Sequence, residues 1–208
     1  MTIRAVIFDW GGVLVRTECR AKREALAAEL GLTPEALEDA VFGCAAWQAA
    51  SRGARSADDA WAEIIAALGF RGPVLAFVRQ FFGGDRLDWR LVALIGALRG
   101  RGLRVGLLSN APGERAGDDD PVGRWGRAEL FDAQVFSYQL GLLKPHPATY
   151  AAALRALGVA AHEALFVDDV PANVNGARQA GLHAVQFVGT DALLADLACH
   201  GLSVARVA

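Results

Sequence analysis

The chain has 208 residues, of which 53% are hydrophobic and 21% are charged. This composition supports a sizeable core and suits one globular domain with an insert. A net charge of −2 gives no electrostatic basis for binding nucleic acid or an anionic membrane surface, so neither partner is expected. The N-terminus does not resemble a signal peptide, and no apolar run reaches the roughly 18 residues of a membrane span, which predicts a cytoplasmic protein. Three cysteines without Cys-x-x-Cys spacing indicate neither a disulfide framework nor a zinc site.

The first predicted element is a short buried strand at residues Ala5–Phe8. This run is continuously apolar, which is typical of a strand covered on both faces in a parallel sheet. Asp9 follows at the carboxyl end of the strand, the edge where ligands bind in open α/β sheets. Asp9 and the glycines after it are also ordinary turn residues, so this stretch alone leaves a turn and a ligand site as alternatives.

The next block, residues 16–87, is predicted to be helical throughout. Apolar residues recur at helical spacing, and Thr33-Pro34 and Ser56 mark helix starts. No strand pattern occurs between Leu14 and about Asp88. The sequence therefore predicts a helical insert after the first strand.

After Asp88, predicted strands and helices alternate. The further strands are, in chain order, Val105–Leu108, a short strand within Asp132–Ser137, Ala164–Val167 and Ala184–Val188. Strand followed by helix, repeated, predicts right-handed βαβ units and a Rossmann-like α/β fold with a parallel sheet wrapped by helices. The run Asp118–Asp120 before Pro121 is interpreted as a solvated loop rather than a second metal site.

Polar side chains follow three of these strands. They are Asp9 after the first strand, Ser109 and Asn110 after the second, and Asp168 and Asp169 after the fourth, with Lys144 in the loop after the third. In a parallel sheet these groups converge at one edge. Carboxylates can hold Mg²⁺ together with phosphate oxygens, while an ammonium group and hydrogen-bond donors balance the charge of a phosphoryl group. The combination indicates phosphoryl transfer.

This ordered set resembles the four motifs of the haloacid dehalogenase-like (HAD) hydrolase superfamily. The motifs are carried by the Asp9 strand, Leu108-Ser109-Asn110, Lys144-Pro145 and Val167-Asp168-Asp169. The helical block resembles the small cap domain of that superfamily, inserted just after the first motif. The resemblance implies a HAD-like α/β core domain over residues 1–15 and 88–208 and a helical cap domain over residues 16–87.

The resemblance also implies a role for each motif residue in a phosphatase. Asp9 would be the nucleophile, attacking phosphorus to form an aspartyl-phosphate that water then hydrolyses. Ser109, with the backbone or side chain of Asn110, would bind the phosphoryl oxygens. Lys144 would neutralise charge between Asp9 and the phosphate. The implied substrate is a small phosphorylated metabolite, and the oligomeric state cannot be read from the sequence.

The implied cofactor is Mg²⁺. Its ligands would be Asp9, the backbone carbonyl of Gly11, and the pair Asp168 and Asp169. Within the pair, Asp169 is favoured as the direct ligand, with Asp168 ligating or acting through water. Asn173, one turn into the following helix, matches a position that supports these ligands in related phosphatases.

Gly11 departs from the family pattern. Phosphatases of the superfamily usually carry a second Asp at this position as general acid for the leaving group, and glycine cannot donate that proton. General acid catalysis is typically worth about 10²–10⁴-fold. Gly11 therefore leaves open a slow or selective phosphatase, a proton donor from the cap or the substrate, and a non-catalytic binding or regulatory module. A metal-independent haloacid dehalogenase is a further alternative, against which the adjacent Asp168-Asp169 pair argues.

The cap is predicted to close over the site and select the leaving group. Trp47, Arg52 and Arg55 are the candidate residues, with Arg52 or Arg55 contacting an anionic or sugar part of the substrate. Trp47 and Trp61 are interpreted chiefly as core residues of the helical block rather than as a platform for substrate.

Overall fold

Seven strands occur in the part of the chain that the computed structural model describes, residues 2–113 and 127–203. They are β1 (Ala5–Phe8), β2 (Val15–Thr17), β3 (Asp85–Leu87), β4 (Arg104–Ser109), β5 (Ala133–Phe136), β6 (Ala164–Asp168) and β7 (His183–Gln186). Five of them form a parallel sheet in the order β5-β4-β1-β6-β7. The predicted parallel sheet is confirmed. The Asp118–Asp120 run lies outside the described residues.

Helices connect these strands and form the block between β2 and β3. They are α1 (Ala21–Glu29), α2 (Pro34–Phe42), α3 (Ala45–Ser51), α4 (Ala57–Ala67), α5 (Val74–Phe81), α6 (Trp89–Gly100), α7 (Arg127–Leu130), α8 (Ser137–Leu140), α9 (Pro147–Leu157), α10 (Pro171–Gln179) and α11 (Thr190–Cys199), with a short 3₁₀ helix at Ala161–Glu163. The predicted helix starts at Thr33 and Ser56 are confirmed, because each side chain accepts a hydrogen bond from the first turn of its helix. Among the described helices, none is both long and apolar enough to cross a membrane.

The prediction that residues 16–87 are helical throughout is wrong at both ends of the block. Strand β2 pairs antiparallel with β3, placing Val15 opposite Leu87 and Thr17 opposite Asp85. The Thr17 hydroxyl also donates a 2.6 Å hydrogen bond to Asp85. Each strand has three residues, too few for an alternating pattern to be recognised in the sequence. This small ribbon marks where the chain enters and leaves the helical block.

Alternate residues of β1 point to opposite faces of the parallel sheet, as expected for a strand. Val6 and Phe8 join one buried apolar cluster, whereas Ala5 and Ile7 join a second cluster. Helices α1, α2, α3, α4 and α5 bury a third cluster of their own. The structure therefore has a two-faced core around the sheet and a separate apolar core in the helical block.

Candidate active site

The carboxyl ends of three neighbouring strands bring the predicted site residues together. Strand β1 lies between β4 and β6, with Phe8 opposite both Leu107 and Val167. The Asp9 N–H donates a 2.9 Å hydrogen bond to the Val167 carbonyl, which continues this register by one residue. Side chains that are far apart in sequence therefore meet at one edge of the sheet.

Lys144 connects the carboxylates at this edge. Its Nζ lies 2.7 Å from Asp9 Oδ1 and 2.7 Å from Asp168 Oδ2. The same nitrogen donates a 2.9 Å hydrogen bond to the Leu108 carbonyl. The side chain is almost fully buried, and its three N–H donors have three acceptors. Lys144 is therefore a fixed positive charge rather than a mobile one.

The two neighbouring aspartates have different surroundings. Asp168 is fully buried, and its oxygens accept hydrogen bonds from Lys144, the Val170 N–H and Asn173. Asp169 is only half-buried and lines the cavity at the end of the sheet. Asp168 is thus committed to holding its protein neighbours, which leaves Asp169 better placed to bind a ligand. Asn173 Nδ2 donates hydrogen bonds to both carboxylate oxygens of Asp168, at 3.1 Å each.

The side chain of Asn110 secures the loop that carries Lys144. Its Nδ2 donates a 3.1 Å hydrogen bond to the Lys144 carbonyl, and its Oδ1 accepts a 2.8 Å hydrogen bond from the Lys144 N–H. The amide is therefore engaged with protein, so the backbone of Asn110 is the better candidate for binding a phosphoryl oxygen. Ser137 holds the next residue in a similar way, exchanging two hydrogen bonds with the backbone of Ala111.

Gly12 is required by the close approach of Asp169. A Cβ on Gly12 would lie 2.2 Å from Asp169 Oδ2, and the φ of Gly12 is +80°, which L side chains rarely adopt. Gly11 is different, since a Cβ there would meet no described atom within 4 Å and its φ lies outside the left-handed region. The fold therefore needs glycine at position 12 but has room for a side chain at position 11.

The carboxylates fit a divalent cation. Asp9, Asp168 and Asp169 each offer an oxygen, and these oxygens lie within 4.8 Å of one another. Three ionised aspartates and the ammonium group of Lys144 give the cluster a net charge of −2.

Burial and the charge of Asp168 raise the pKa of Asp9 to about 7, against the opposing effects of Lys144 and the Trp10 N–H. Burial, followed by the charge of Asp168, also raises the pKa of Asp169. A bound cation would keep these groups ionised, and Mg²⁺ prefers such oxygen ligands.

A cavity of about 700 Å³ extends from these residues to the helical block. Asp9, Gly11, Ser109, Asn110, Lys144, Asp169 and Asn173 all line it. The arginines on its wall are Arg16, Arg20 and Arg23, whereas neither Arg52 nor Arg55 occurs among its described lining residues. Arg52 instead donates to the Gln48 carbonyl, and Arg55 pairs with Glu63 at 2.5 Å. Neither side chain therefore lines the cavity in this structure, and their contact with substrate stays a prediction.

The sequence reasoning missed part of the cavity wall. Phe42 and Phe82 line the cavity beside Trp47 and Trp61, although neither phenylalanine was singled out. Trp61 also lies in the apolar cluster of the helical block, and Trp47 packs against that cluster, so the core interpretation of the two tryptophans is correct but incomplete. Helical periodicity identifies an apolar face but not the part of it that borders a cavity.

The chain is similar in sequence to known proteins. A family model described as haloacid dehalogenase-like hydrolase matches residues 3–181. The sesquiterpene phosphatase astK of Aspergillus oryzae is 29% identical over 197 residues, covering 92% of each chain.

Solved structures share the fold. A HAD family enzyme from Bacteroides thetaiotaomicron, in complex with magnesium and inorganic phosphate, superposes with a TM-score of 0.67 at 20% identity, covering 91% of this chain and 96% of that one. An L-2-haloacid dehalogenase gives a TM-score of 0.65 at 27% identity, covering 90% of this chain and 87% of that one. The structure defines an α/β protein with a cluster of carboxylates at the carboxyl edge of its parallel sheet. The family match makes the assignment specific: the chain belongs to the haloacid dehalogenase-like hydrolase family.

Proposed function

We propose that the protein is a Mg²⁺-dependent phosphatase that hydrolyses a small phosphomonoester through an aspartyl-phosphate on Asp9. The observation that carries this proposal is the cluster of Asp9, Asp168 and Asp169 around Lys144, with carboxylate oxygens within 4.8 Å of one another. A hard cation with oxygen ligands and a buried ammonium suit a phosphoryl group better than an uncharged substrate. The curated relatives named phosphatases support the same reaction.

The residues of the site have separate roles in this reaction. Lys144 and the Trp10 N–H both contact Asp9 Oδ1, at 2.7 Å each, and so fix the carboxylate that attacks phosphorus. Ser109 and the backbone of Asn110 bind the phosphoryl oxygens. Asp9, Asp169 and the Gly11 carbonyl would hold Mg²⁺, and Asp168 positions Lys144. When bound, the cation supplies positive charge that stabilises the transferring phosphoryl group.

Gly11 leaves the alcohol without a proton donor at the usual family position. Turnover is therefore expected to be fastest for esters whose leaving group needs no proton, such as p-nitrophenyl phosphate. The cap over residues 16–87 would exclude water and select the alcohol, while the core over residues 1–15 and 88–208 carries the chemistry. A cytoplasmic location is part of this proposal.

The test is phosphate release from p-nitrophenyl phosphate with and without Mg²⁺. We expect Mg²⁺-dependent turnover, and we expect Asp9→Asn to lower kcat by on the order of 10⁴-fold or more, because an amide is a poor nucleophile. Asp39→Asn, an exposed aspartate of α2 outside the cavity, is the matched control. Inactivity of the wild-type protein across a broad panel of phosphomonoesters would instead support a non-catalytic binding module.

Dehalogenation is the second candidate, because one similar solved structure is an L-2-haloacid dehalogenase. That reaction attacks carbon and needs no metal. Chloride release from 2-chloropropionate in the presence of EDTA, without phosphate release from any ester, would favour it. The proximity of Asp169 to Asp9 favours the phosphatase, since two facing carboxylates repel each other and a bound cation would neutralise them.

A further inference from the structure

Four aromatic residues of the helical block line the cavity. Phe42, Trp47, Trp61 and Phe82, here called the aromatic wall, line the same cavity as Asp9 and Ser109. They come from α2, α3, α4 and the residue after α5. The helical block therefore presents aromatic surface to the place where the alcohol part of a phosphate ester would lie.

The aromatic wall is packed in edge-to-face contacts that fix its shape. Ring centroids lie 5.2 Å apart for Phe42 and Trp47, 5.3 Å for Trp47 and Trp61, and 6.0 Å for Trp61 and Phe82. These are favourable geometries for aromatic pairs. Phe42 nevertheless leaves 37% of its surface exposed, although it is a large apolar side chain beside a cavity. Apolar surface at such a position suits contact with a ligand.

The arginines that line the cavity have acidic partners. Arg23 is buried and contacts Glu38 at 2.6 Å and Asp85 at 3.2 Å, and its Nε donates to the Phe81 carbonyl.

The other two lining arginines are paired as well. Arg16 lies 2.5 Å from Asp88 and also donates to the Val13 carbonyl, and Arg20 lies 3.7 Å from Glu35. To reach Arg16 or Arg23, an anionic alcohol would have to compete with their acidic partners, whereas the Arg20–Glu35 contact is long, exposed and contributes little. Arg16 and Arg23 are therefore poor binding sites for a leaving group with its own carboxylate or second phosphate.

Resting on the proposed phosphatase function, we propose that the substrate is a phosphomonoester of an uncharged, predominantly apolar alcohol. Its phosphoryl group lies at Asp9 and Lys144, and its hydrocarbon or aromatic body packs against the aromatic wall. The cavity volume of about 700 Å³ is in the range that encloses a drug-sized ligand, so the cavity has room for an alcohol considerably larger than ethanol or glycerol.

The first experiment is a series of n-alkyl phosphates from ethyl to decyl, with Mg²⁺. All these esters release primary alkanols of similar basicity, so the rate of the chemical step is nearly constant along the series. The change in kcat/KM with chain length therefore measures how much of the alkyl chain is buried. We expect kcat/KM to rise about fourfold per added methylene until the cavity is filled, the factor that corresponds to ~0.8 kcal/mol per buried methylene. Phosphoserine, which carries charges on its leaving group, should be a worse substrate than octyl phosphate.

A pair of variants tests the aromatic wall itself. Phe42→Ala should lower the ratio of kcat/KM for octyl phosphate to that for ethyl phosphate about tenfold or more, because the long chain loses apolar contact. Trp89→Ala removes an aromatic residue that is 69% exposed but lies outside the lining residues of the cavity, and it should leave the ratio unchanged. An unchanged ratio in Phe42→Ala would argue against the proposal.

Binding of alkylphosphonates tests the apolar site independently of the proposed phosphatase activity. These compounds cannot be hydrolysed, so calorimetric titration in the presence of Mg²⁺ measures affinity in an active or an inactive protein. Affinity that rises with chain length supports the apolar site even if no ester is turned over. Turnover of ethyl phosphate and phosphoserine at the rate of octyl phosphate, with phosphonate affinity independent of chain length, would overturn the apolar site and leave the phosphatase intact.

Discussion

The floor and the wall of the cavity are built in different ways. The floor, made of Asp9, Lys144 and Asp169 and supported by the buried Asp168, comes from the ends of parallel strands and the loop beside them. Its ammonium group has three acceptors, and Asp168 has at least three donors. The aromatic wall comes from separate helices and is held by apolar packing.

This difference indicates separate roles for the floor in the reaction and for the aromatic wall in the choice of alcohol. Charged groups in a buried floor keep their geometry because each has a fixed partner, and losing one partner leaves an uncompensated charge. Aromatic side chains on helices can be exchanged for apolar side chains of similar volume with smaller consequences for the fold, since such exchanges alter mainly local packing. We therefore expect substitutions in the floor to affect the chemical step and substitutions in the wall to affect the choice of alcohol.

The largest expected effect is a rise in kcat caused by a substitution beside the floor. Gly11→Asp places a carboxyl group where the family's general acid usually lies, and a Cβ there meets no described atom within 4 Å. For ethyl phosphate, whose leaving group needs a proton, we expect kcat to rise by about 10²–10⁴-fold. For p-nitrophenyl phosphate we expect little gain. Steady-state phosphate release with both esters is the measurement.

Gly11→Asn is the matched control for this gain. It has nearly the same size and shape but cannot act as a general acid, so it should not accelerate the hydrolysis of ethyl phosphate. If Gly11→Asn and Gly11→Asp raised the rate equally, the gain would come from packing rather than from proton donation. Gly12 cannot serve as the control, because a Cβ there would displace Asp169.

The aspartates of the floor could be predicted from the sequence because they follow strands. An apolar run that ends in Asp9, or in Asp168 and Asp169, fixes both the strand and the edge at which its polar residues lie. Their partners could not be predicted in the same way. Whether Asn110 binds a phosphoryl group or holds the backbone of Lys144 depends on the loop conformation, which residue order does not specify.

The wall was harder to predict for a physical reason. A helix has several sides, and which one borders the cavity depends on how it packs against its neighbours. Arg52 and Arg55 lie near Trp47 in sequence, yet the chain turns at Gly53 and directs them to Gln48 and Glu63. The strands β2 and β3 were missed because three residues are too short for a periodic signal.

A smaller effect is expected from removing the buried positive charge of Arg23, which lines the cavity. Arg23→Met should lower the free energy of unfolding by about 3–5 kcal/mol, because it leaves Glu38 and Asp85 without their shared cation. Arg20→Met is the matched control. Arg20 also contacts a glutamate but its side chain is 54% exposed, so its loss should cost less than about 1 kcal/mol. Urea denaturation measures both.

The effect of Arg23→Met should depend on pH. Burial raises the pKa of Asp85, while Thr17 and Arg23 oppose that rise, so removing Arg23 raises the pKa further. A carboxyl group with a raised pKa in the folded state destabilises the fold as pH increases above its unfolded pKa of about 4. The difference in the free energy of unfolding between the wild type and Arg23→Met should therefore be smaller near pH 4 than at pH 7. A difference that shrank as pH rose would contradict this account.

The smallest expected effect tests whether the floor is independent of the helical block. Thr33 Oγ1 accepts a 3.2 Å hydrogen bond from the Ala36 N–H at the start of α2, the helix that ends in Phe42. Thr33→Ala should lower the free energy of unfolding by about 1 kcal/mol, and Thr33→Ser should restore most of it. The Mg²⁺ affinity measured by calorimetry should not change, because Asp9, Asp168 and Asp169 are held by the sheet and by Lys144. A weaker Mg²⁺ affinity in Thr33→Ala alone would mean that the helical block helps to hold the floor, and that reaction and selectivity are coupled through the fold.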